Sequence, residues 1–343
     1  MRRVMKVRVA LALAALLLAA AFASSAPGYH VVKSYKLGGE GGWDYLNLDS
    51  AARRLYIARA TRVMVIDTDS GALVGEITDT PGVHGIALAT ELGKGFVSNG
   101  GESTISVFDP KTLKTTSKVK VGDHPDAILY DPATKRVFTF NARSHDATAV
   151  DAINGEVIGT IPLAGKPEFA VSDGKGTIYV NLEDRNQLFA IDPGKLSVRS
   201  RWPLAGCDEP TGLAMDRKNR RLFSGCSNKV MNVVNADTGD VLAVLPIGEG
   251  VDATAFDEET GLAFASCGEG VLTVVLEESP DKFMVVENVV TQRGARTMAL
   301  DQKTHNLFTV TAQFGPRPQP TAEMPHPRAP ILPDSFVVLV VGK

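Results

Sequence analysis

Short apolar runs, separated by polar turns, recur along most of this chain with a period of about 42 residues. The runs are rich in valine, isoleucine and aromatic residues, which favour β-strands. One series of runs ends at an acidic or asparagine residue, with spacings of 42, 42, 41 and 43 residues: Asp67, Asp109, Asp151, Asp192 and Asn235. A fixed period of this size indicates a repeat architecture.

A second series of polar residues opens each repeat and defines seven units. Its spacings are 40, 42, 42, 43, 41 and 44 residues: Asp44, His84, Asp126, Glu168, Thr211, Asp252 and Arg296. Within one unit, strand-like segments at 127–130, 137–141, 148–151 and 157–163 are separated by turn residues. Four such strands form the blade of a β-propeller. The sequence therefore predicts an all-β, seven-bladed propeller with four-stranded blades, in one domain at 27–343.

The two ends of the chain are predicted to close this ring. The seventh unit contains only three strands, the third at 335–341, and a fitting fourth strand lies at 30–37. Pairing of the N-terminal strand with the C-terminal blade would leave no open sheet edge. A closed ring requires no partner strand, so a monomer is expected.

The second strands of the units also carry a family resemblance. Tyr179-Val180-Asn181, Phe96-Val97-Ser98-Asn99 and Phe138-Thr139-Phe140-Asn141 resemble the Tyr-Val-Thr-Asn signature of the YVTN-repeat, YncE-like propellers. In units five to seven, Cys226, Cys267 and Thr311 replace the asparagine. The resemblance implies the propeller fold, but it implies no single activity, because one fold hosts many functions.

The N-terminal segment 1–26 differs from the rest of the chain. A basic start, including Arg2 and Arg3, precedes an apolar run of about 15 residues from Val9, and small residues follow. This is the pattern of a cleaved signal peptide, and the run is shorter than the roughly 20 residues of a spanning helix; a membrane anchor is the alternative. We expect export to a periplasmic or extracellular location, without a membrane span after cleavage.

Charge and cysteine content narrow the possible functions. Loss of the four basic residues in 1–26 would leave 32 basic and 39 acidic residues, a net charge of −7. That charge argues against nucleic acid as a partner, because binding of nucleic acid requires a basic face on the protein.

Of the three cysteines, Cys207 and Cys226 are the first choice for a disulfide, and Cys226 with Cys267 is the second.

In a propeller, the start of each unit and the end of its second strand converge on one mouth of the central channel. Asp44, Asp126, Glu168 and Asp252 would offer oxygen ligands to Ca²⁺, Mg²⁺ or Mn²⁺, and His84 would favour a transition metal such as Zn²⁺. His84 is alternatively a candidate general base. The remaining alternative is purely structural, with these side chains accepting hydrogen bonds around a hydrated channel.

Other polar residues are expected at the same mouth as ligand-binding candidates: Asn99, Asn141, Asn181, Arg143, Arg296 and His326. The last of these lies in a proline-rich insertion of the seventh unit, at 312–334, where the other units have only a few residues. Long loops in compact domains are often functional. The insertion is therefore a candidate lid over the mouth, and a disordered decoration is the alternative.

Two functional classes remain open. The first is an exported binding protein that uses the mouth face for a protein, peptide or small ligand, and it is favoured because no nucleophile elbow, phosphate loop or zinc-protease motif occurs. The second is a divalent-metal-dependent hydrolase or lyase, similar to seven-bladed lactonases and the streptogramin lyase. The asymmetric ring of acids with one histidine supports the second class.

Overall fold

The computed structural model describes residues 28–321, 324–325 and 327–343. In this part of the chain, strands form seven four-stranded antiparallel sheets arranged as consecutive blades. The predicted all-β, seven-bladed propeller is confirmed. The predicted signal peptide at 1–26 lies outside the described residues.

The strands of each blade follow one another from the channel outwards. Blade 1 comprises β2 (Leu46–Asp49), β3 (Arg54–Arg59), β4 (Arg62–Asp67) and β5 (Leu73–Ile77), and blade 2 comprises β6 (Val83–Ala89), β7 (Lys94–Asn99), β8 (Thr104–Phe108) and β9 (Thr115–Lys120). Blade 3 comprises β10 (Pro125–Asp131), β11 (Arg136–Asn141), β12 (Asp146–Asp151) and β13 (Val157–Pro162). Blade 4 comprises β14 (Pro167–Ser172), β15 (Ile178–Leu182), β16 (Gln187–Asp192) and β17 (Ser197–Pro203).

The last three blades continue the order, and the final blade takes its outer strand from the N-terminus. Blade 5 comprises β18 (Pro210–Asp216), β19 (Arg221–Cys226), β20 (Val230–Asn235) and β21 (Val241–Pro246). Blade 6 comprises β22 (Val251–Asp257), β23 (Leu262–Cys267), β24 (Val271–Ser279) and β25 (Lys282–Val290). Blade 7 comprises β26 (Met298–Leu300), β27 (Leu307–Thr311), β28 (Val337–Gly342) and β1 (His30–Lys36).

The two middle strands of each blade are buried on both faces because neighbouring blades cover them, whereas an outer strand such as β17 alternates between exposed and half-buried positions. Each second strand places an aromatic ring at the same register position between blades. These rings are almost fully buried, and each contributes roughly 2–3 kcal/mol of hydrophobic stabilisation: Tyr56, Phe96, Phe138, Tyr179, Phe223, Phe264 and Phe308.

The ring closes as the sequence predicted. In the seventh blade, β1 pairs antiparallel with β28, with His30 opposite Gly342 and Lys36 opposite Val337. The two strands end within two residues of the predicted limits. The first and last described strands therefore belong to one sheet, and their pairing within blade 7 closes the ring.

One register assignment made from the sequence is wrong. Asn99 pairs with the residue that precedes His84, and Asn141 pairs with the residue that precedes Asp126. In blade 4, the residue that pairs with the one preceding Glu168 is Leu182 and not Asn181. The turn between the first two strands is one residue shorter in this blade. Because side chains alternate along a strand, this shift places Asn181 on the opposite face of its sheet from the other two asparagines.

Helical structure is confined to two single 3₁₀ turns, Thr90–Leu92 and Glu183–Arg185, in the described ranges. No helix within those ranges is long and apolar enough to cross a membrane.

Candidate binding site at the channel mouth

The residues that open the seven units converge at one mouth of the channel. In blades 2 to 6 the opening residue is the second residue of the innermost strand, and the pairing of the first two strands shifts at this point. A shift of this kind bends the strand and redirects its side chains. A local irregularity of the innermost strand therefore accompanies the opening residue in each of these five blades.

Three of these residues form a compact cluster. His84 Nδ1 lies 2.5 Å from Asp44 Oδ2 and 3.6 Å from Asp126 Oδ1. One ligand atom from each residue lies within 4.8 Å of the others. An imidazole nitrogen and two carboxylate oxygens at this separation are a suitable ligand set for a divalent transition metal.

His84 is held in one orientation. Its Nε2 faces Gly100, where an added Cβ would lie only 2.7 Å away, so Nδ1 is the ring nitrogen turned towards the acids. Burial lowers the pKa of His84, but the hydrogen bond to Asp44 and the charge of Asp126 outweigh burial and raise it. The neighbouring His124 ring packs edge-on at 5.0 Å, and burial lowers its pKa.

Glu168 lies on the next blade and has its own partners. Lys166 Nζ is 2.8 Å from Glu168 Oε1, and the Tyr45 hydroxyl donates a hydrogen bond to Glu168 Oε2 at 3.4 Å. Burial raises the pKa values of both Glu168 and Asp126; the charge of Asp126 adds to the effect on Glu168, and the charge of Asp44 adds to the effect on Asp126. Glu168 therefore belongs electrostatically to the mouth but lies outside the three-residue cluster.

Asp252 completes the acidic side of the ring. Its Oδ1 accepts a hydrogen bond from Arg296 Nη1 at 3.2 Å, whereas its buried Oδ2 has no partner among the described residues. Burial, together with the charges of Asp44 and Asp126, raises the pKa of Asp252 to about 7 against the opposing charge of Arg296. The mouth thus concentrates more carboxylates than its cationic side chains neutralise.

Two aromatic residues line the channel beneath this ring. Tyr45 packs edge-on against Phe169 at 4.5 Å between ring centroids, and Phe169 contacts the apolar cores of several blades. Sequence reasoning missed both residues. The signal was present, because the position after the opening residue is small in the other five units: Gly85, Ala127, Gly212, Ala253 and Thr297.

The asparagines predicted to bind a ligand are buried within the sheets. Asn99 donates to the Thr104 and Ser106 hydroxyls, and Asn141 donates to Asp146 and Thr148 in the same way. Asn181 instead donates to backbone carbonyls of the next blade. These side chains hold strands and blades together, and we assign them no contact with a ligand.

The remaining ligand-binding candidates lie at the rim. Arg143 is exposed, and its charge contributes to the lowered pKa of His124. Arg296 belongs to the ring and also lines a cavity beneath the insertion. His326 lies outside the described residues. Thr211 donates to the Val251 carbonyl, so its hydroxyl joins blades 5 and 6.

Cys207 and Cys226 are joined by a disulfide that connects the loop entering blade 5 to the end of its second strand. Their Cα atoms lie 5.4 Å apart, and both residues are buried. Cys267 is a buried free thiol. Burial raises the pKa of Cys267 to about 12, so this thiol is protonated at neutral pH and is unsuited to soft-metal binding or nucleophilic chemistry.

Comparison with known proteins agrees with this architecture. A stretch of 145 residues is 24% identical to YncE of Escherichia coli K12, a protein described as uncharacterized, and a similar match occurs in the O157:H7 strain. The match covers 39% of this chain and 40% of YncE. Together with the seven blades, it confirms the resemblance to YncE-like propellers. No family model matches the chain.

Solved structures show the same fold at low sequence identity. Hydrazine synthase of Kuenenia stuttgartiensis superposes with a TM-score of 0.67 at 15% identity, covering 80% of this chain and 94% of that one. The protein U3-55K superposes with a TM-score of 0.74 at 9% identity, covering 91% and 99% of the respective chains. At these identities, the likeness establishes a propeller and nothing about activity.

Proposed function

We propose that this protein is a binding protein whose channel mouth takes up a divalent cation at Asp44, His84 and Asp126. The observation that carries the proposal is the convergence of one nitrogen and two carboxylate oxygens within 4.8 Å. The mixed donor set favours Zn²⁺ or Mn²⁺ over Ca²⁺ and Mg²⁺, which prefer oxygen alone.

The electrostatics of the ring support a cation at this position. Burial raises the pKa values of Asp126, Glu168 and Asp252, and repulsion from neighbouring acids, Asp44 among them, adds to the effect. A divalent ion would favour the ionised forms of these acids and would reduce their repulsion. Such an ion would also offer open coordination positions to a ligand that enters the mouth.

The test is equilibrium dialysis of purified protein against Zn²⁺, Mn²⁺ and Ca²⁺, followed by elemental analysis. We expect about one equivalent of transition metal in the wild type and its loss in Asp126→Asn and His84→Gln. Glu258→Gln, an exposed acid that pairs with Arg217, is the control that should retain the ion. A wild type without bound metal, or full retention by both mouth variants, would refute this site.

A metal-dependent hydrolase or lyase is the second candidate, and the Asp44–His84 pair favours it. A carboxylate beside an imidazole raises the basicity of the ring, and an ion held by the cluster would activate a bound water. His84 would hold that ion through Nδ1, because Nε2 faces Gly100, so it would serve as a ligand and not as the general base. Metal-loaded protein should then open lactones, and Asp126→Asn should abolish that activity. Absence of turnover with a panel of lactone and lyase substrates would exclude the enzyme and leave binding as the proposed function.

We also propose that the chain is exported. The basic start, the apolar run and the small residues of segment 1–26 support cleavage near residue 26. The Cys207–Cys226 disulfide suits an oxidising compartment. N-terminal sequencing of protein expressed with its own leader should find a start near residue 27, and an intact Met1 would contradict export by cleavage.

A further inference from the structure

A second concave site lies beside the ring, under the insertion of blade 7. Its volume is about 400 Å³, which is within the range of cavities that hold small organic ligands. Its walls include four arginines and three large apolar residues: Arg293, Arg296, Arg317, Arg328, Trp43, Phe314 and Ile331. The cavity differs in chemistry from the acidic cluster because none of its described lining residues is acidic.

The apolar wall of the cavity includes the rings of Trp43 and Phe314, which are tilted against each other, and Phe336 packs behind Trp43. Trp43 lies 6.1 Å from Phe314 and 5.3 Å from Phe336, measured between ring centroids. The guanidinium carbon of Arg293 lies 5.8 Å from the centre of the Phe314 ring. Gly294, with φ +87°, leaves room for Phe314, since an added Cβ would come within 2.7 Å of that ring.

Backbone hydrogen bonds hold the insertion in place. Phe314 and Ile331 form an antiparallel bridge, and the Gly315 amide donates to the Pro330 carbonyl at 2.8 Å. The Gln292 side chain donates to the Ala312 carbonyl at 3.1 Å, which ties the insertion to the preceding loop. The cavity wall is therefore preformed, and a ligand would not have to order it.

We propose that this cavity binds an organic anion in which a carboxylate, phosphate or sulfonate is attached to an aromatic body. The planar guanidinium groups of Arg317 and Arg328 are exposed and suited to two-point hydrogen bonding of such anions. The rings of Trp43 and Phe314 would pack against the aromatic body. This inference goes beyond the cation site and does not depend on it.

The probe pair for the test is 1-anilinonaphthalene-8-sulfonate and its neutral analogue N-phenyl-1-naphthylamine, which lacks only the sulfonate. We expect saturable fluorescence enhancement with the anionic dye, and at least tenfold weaker binding of the neutral dye. The Arg317→Gln/Arg328→Gln variant should bind the anionic dye at least tenfold more weakly, with unchanged binding of the neutral dye. Arg201→Gln, an exposed arginine on β17, should behave as wild type.

Competition distinguishes the aromatic part of the ligand from the anionic part. Benzoate and phenyl phosphate should displace the dye at lower concentration than inorganic phosphate. Equal displacement by inorganic phosphate, equal binding of the two dyes, or unchanged binding in the double arginine variant would overturn the proposal. Loss of dye binding on addition of EDTA would also overturn it, since the anion would then be held by a metal ion. Unchanged circular dichroism of the double variant shows that it folds.

Discussion

The guanidinium carbon of Arg59 lies 3.7 Å from the centroid of the Phe336 ring, and both residues are fully buried. Arg59 ends the second strand of blade 1, and Phe336 directly precedes the third strand of blade 7. Arg59 Nη2 also donates to the Glu40 carbonyl at 2.9 Å, in the segment that leads from β1 into blade 1. One side chain therefore joins the two blades at which the ring closes.

We expect Arg59→Ala to lower the free energy of unfolding by about 3 kcal/mol, because it removes a buried cation–π contact and the hydrogen bonds from Nη2 to the Gly38 and Glu40 carbonyls. Chemical denaturation measures the change. Arg201→Ala is the matched control, since Arg201 lies 5.1 Å from the Phe189 ring but is exposed. The control should lose less than about 1 kcal/mol. An equal loss of unfolding free energy in the two variants would mean that burial of Arg59 adds nothing to the stability of the protein.

Removal of the closing strand should destabilise the whole ring. Deletion of residues 28–38 exposes the edge of β28 and eliminates the contacts of Tyr35, whose hydroxyl donates to the Thr68 carbonyl in blade 1. We expect a lower melting temperature and a tendency to associate, measured by calorimetry and light scattering. An unchanged melting temperature would show that closure by β1 contributes no stability.

The Cys207–Cys226 disulfide should stabilise the protein, and its three cysteines should react with a thiol reagent in a defined order. In the native protein no thiol should react rapidly, because Cys267 is buried; one should react after denaturation, and three after reduction. Cys207→Ala/Cys226→Ala should lower the free energy of unfolding by about 3 kcal/mol, the value for a cross-link that closes a loop of this size. Three reactive thiols in denatured, unreduced protein would contradict the pairing.

A buried acid far from the mouth should make stability depend on pH. Burial raises the pKa of Glu277 to about 7; Asn219 donates to Oε1, and Oε2 has no partner among the described residues. Because the folded state binds this proton more tightly than the unfolded state, stability should fall as pH rises from about 4.5 to above 7.

The matched variant is Glu277→Gln, which keeps the shape of the side chain and removes its charge. At pH 8 it should be more stable than wild type by about 1–2 kcal/mol, and near pH 5 the difference should disappear. Denaturation curves at both pH values measure this. A variant that is less stable at pH 8 would show that the ionised carboxylate is satisfied in the folded state.

The repeat made the blades predictable from sequence, because a spacing of about 42 residues is preserved even where identities change. The opening residues could likewise be placed at one mouth. Their grouping could not: Asp44, His84 and Asp126 meet, whereas Glu168 turns to Lys166 and Asp252 turns to Arg296. Those choices depend on side-chain directions at strand irregularities, which sequence spacing does not contain.

Asn181 shows a second limit of sequence reasoning. Its strand resembles those of Asn99 and Asn141 in composition, but a turn shorter by one residue moves it to the other face of the sheet. The arginine-lined cavity was missed for a different reason. Its residues come from separate loops of blades 1, 6 and 7, and only the folded insertion brings Arg317 and Arg328 to Trp43.

The most direct test of the proposed cation site is an anomalous diffraction experiment on crystals grown with Zn²⁺ or Mn²⁺. We expect one strong peak within coordinating distance of Asp44, His84 Nδ1 and Asp126, and no such peak in crystals of Asp126→Asn. A mouth without anomalous density in well-diffracting wild-type crystals, with metal bound elsewhere or not at all, would refute the cation site and leave the acidic ring as a structural feature of the channel.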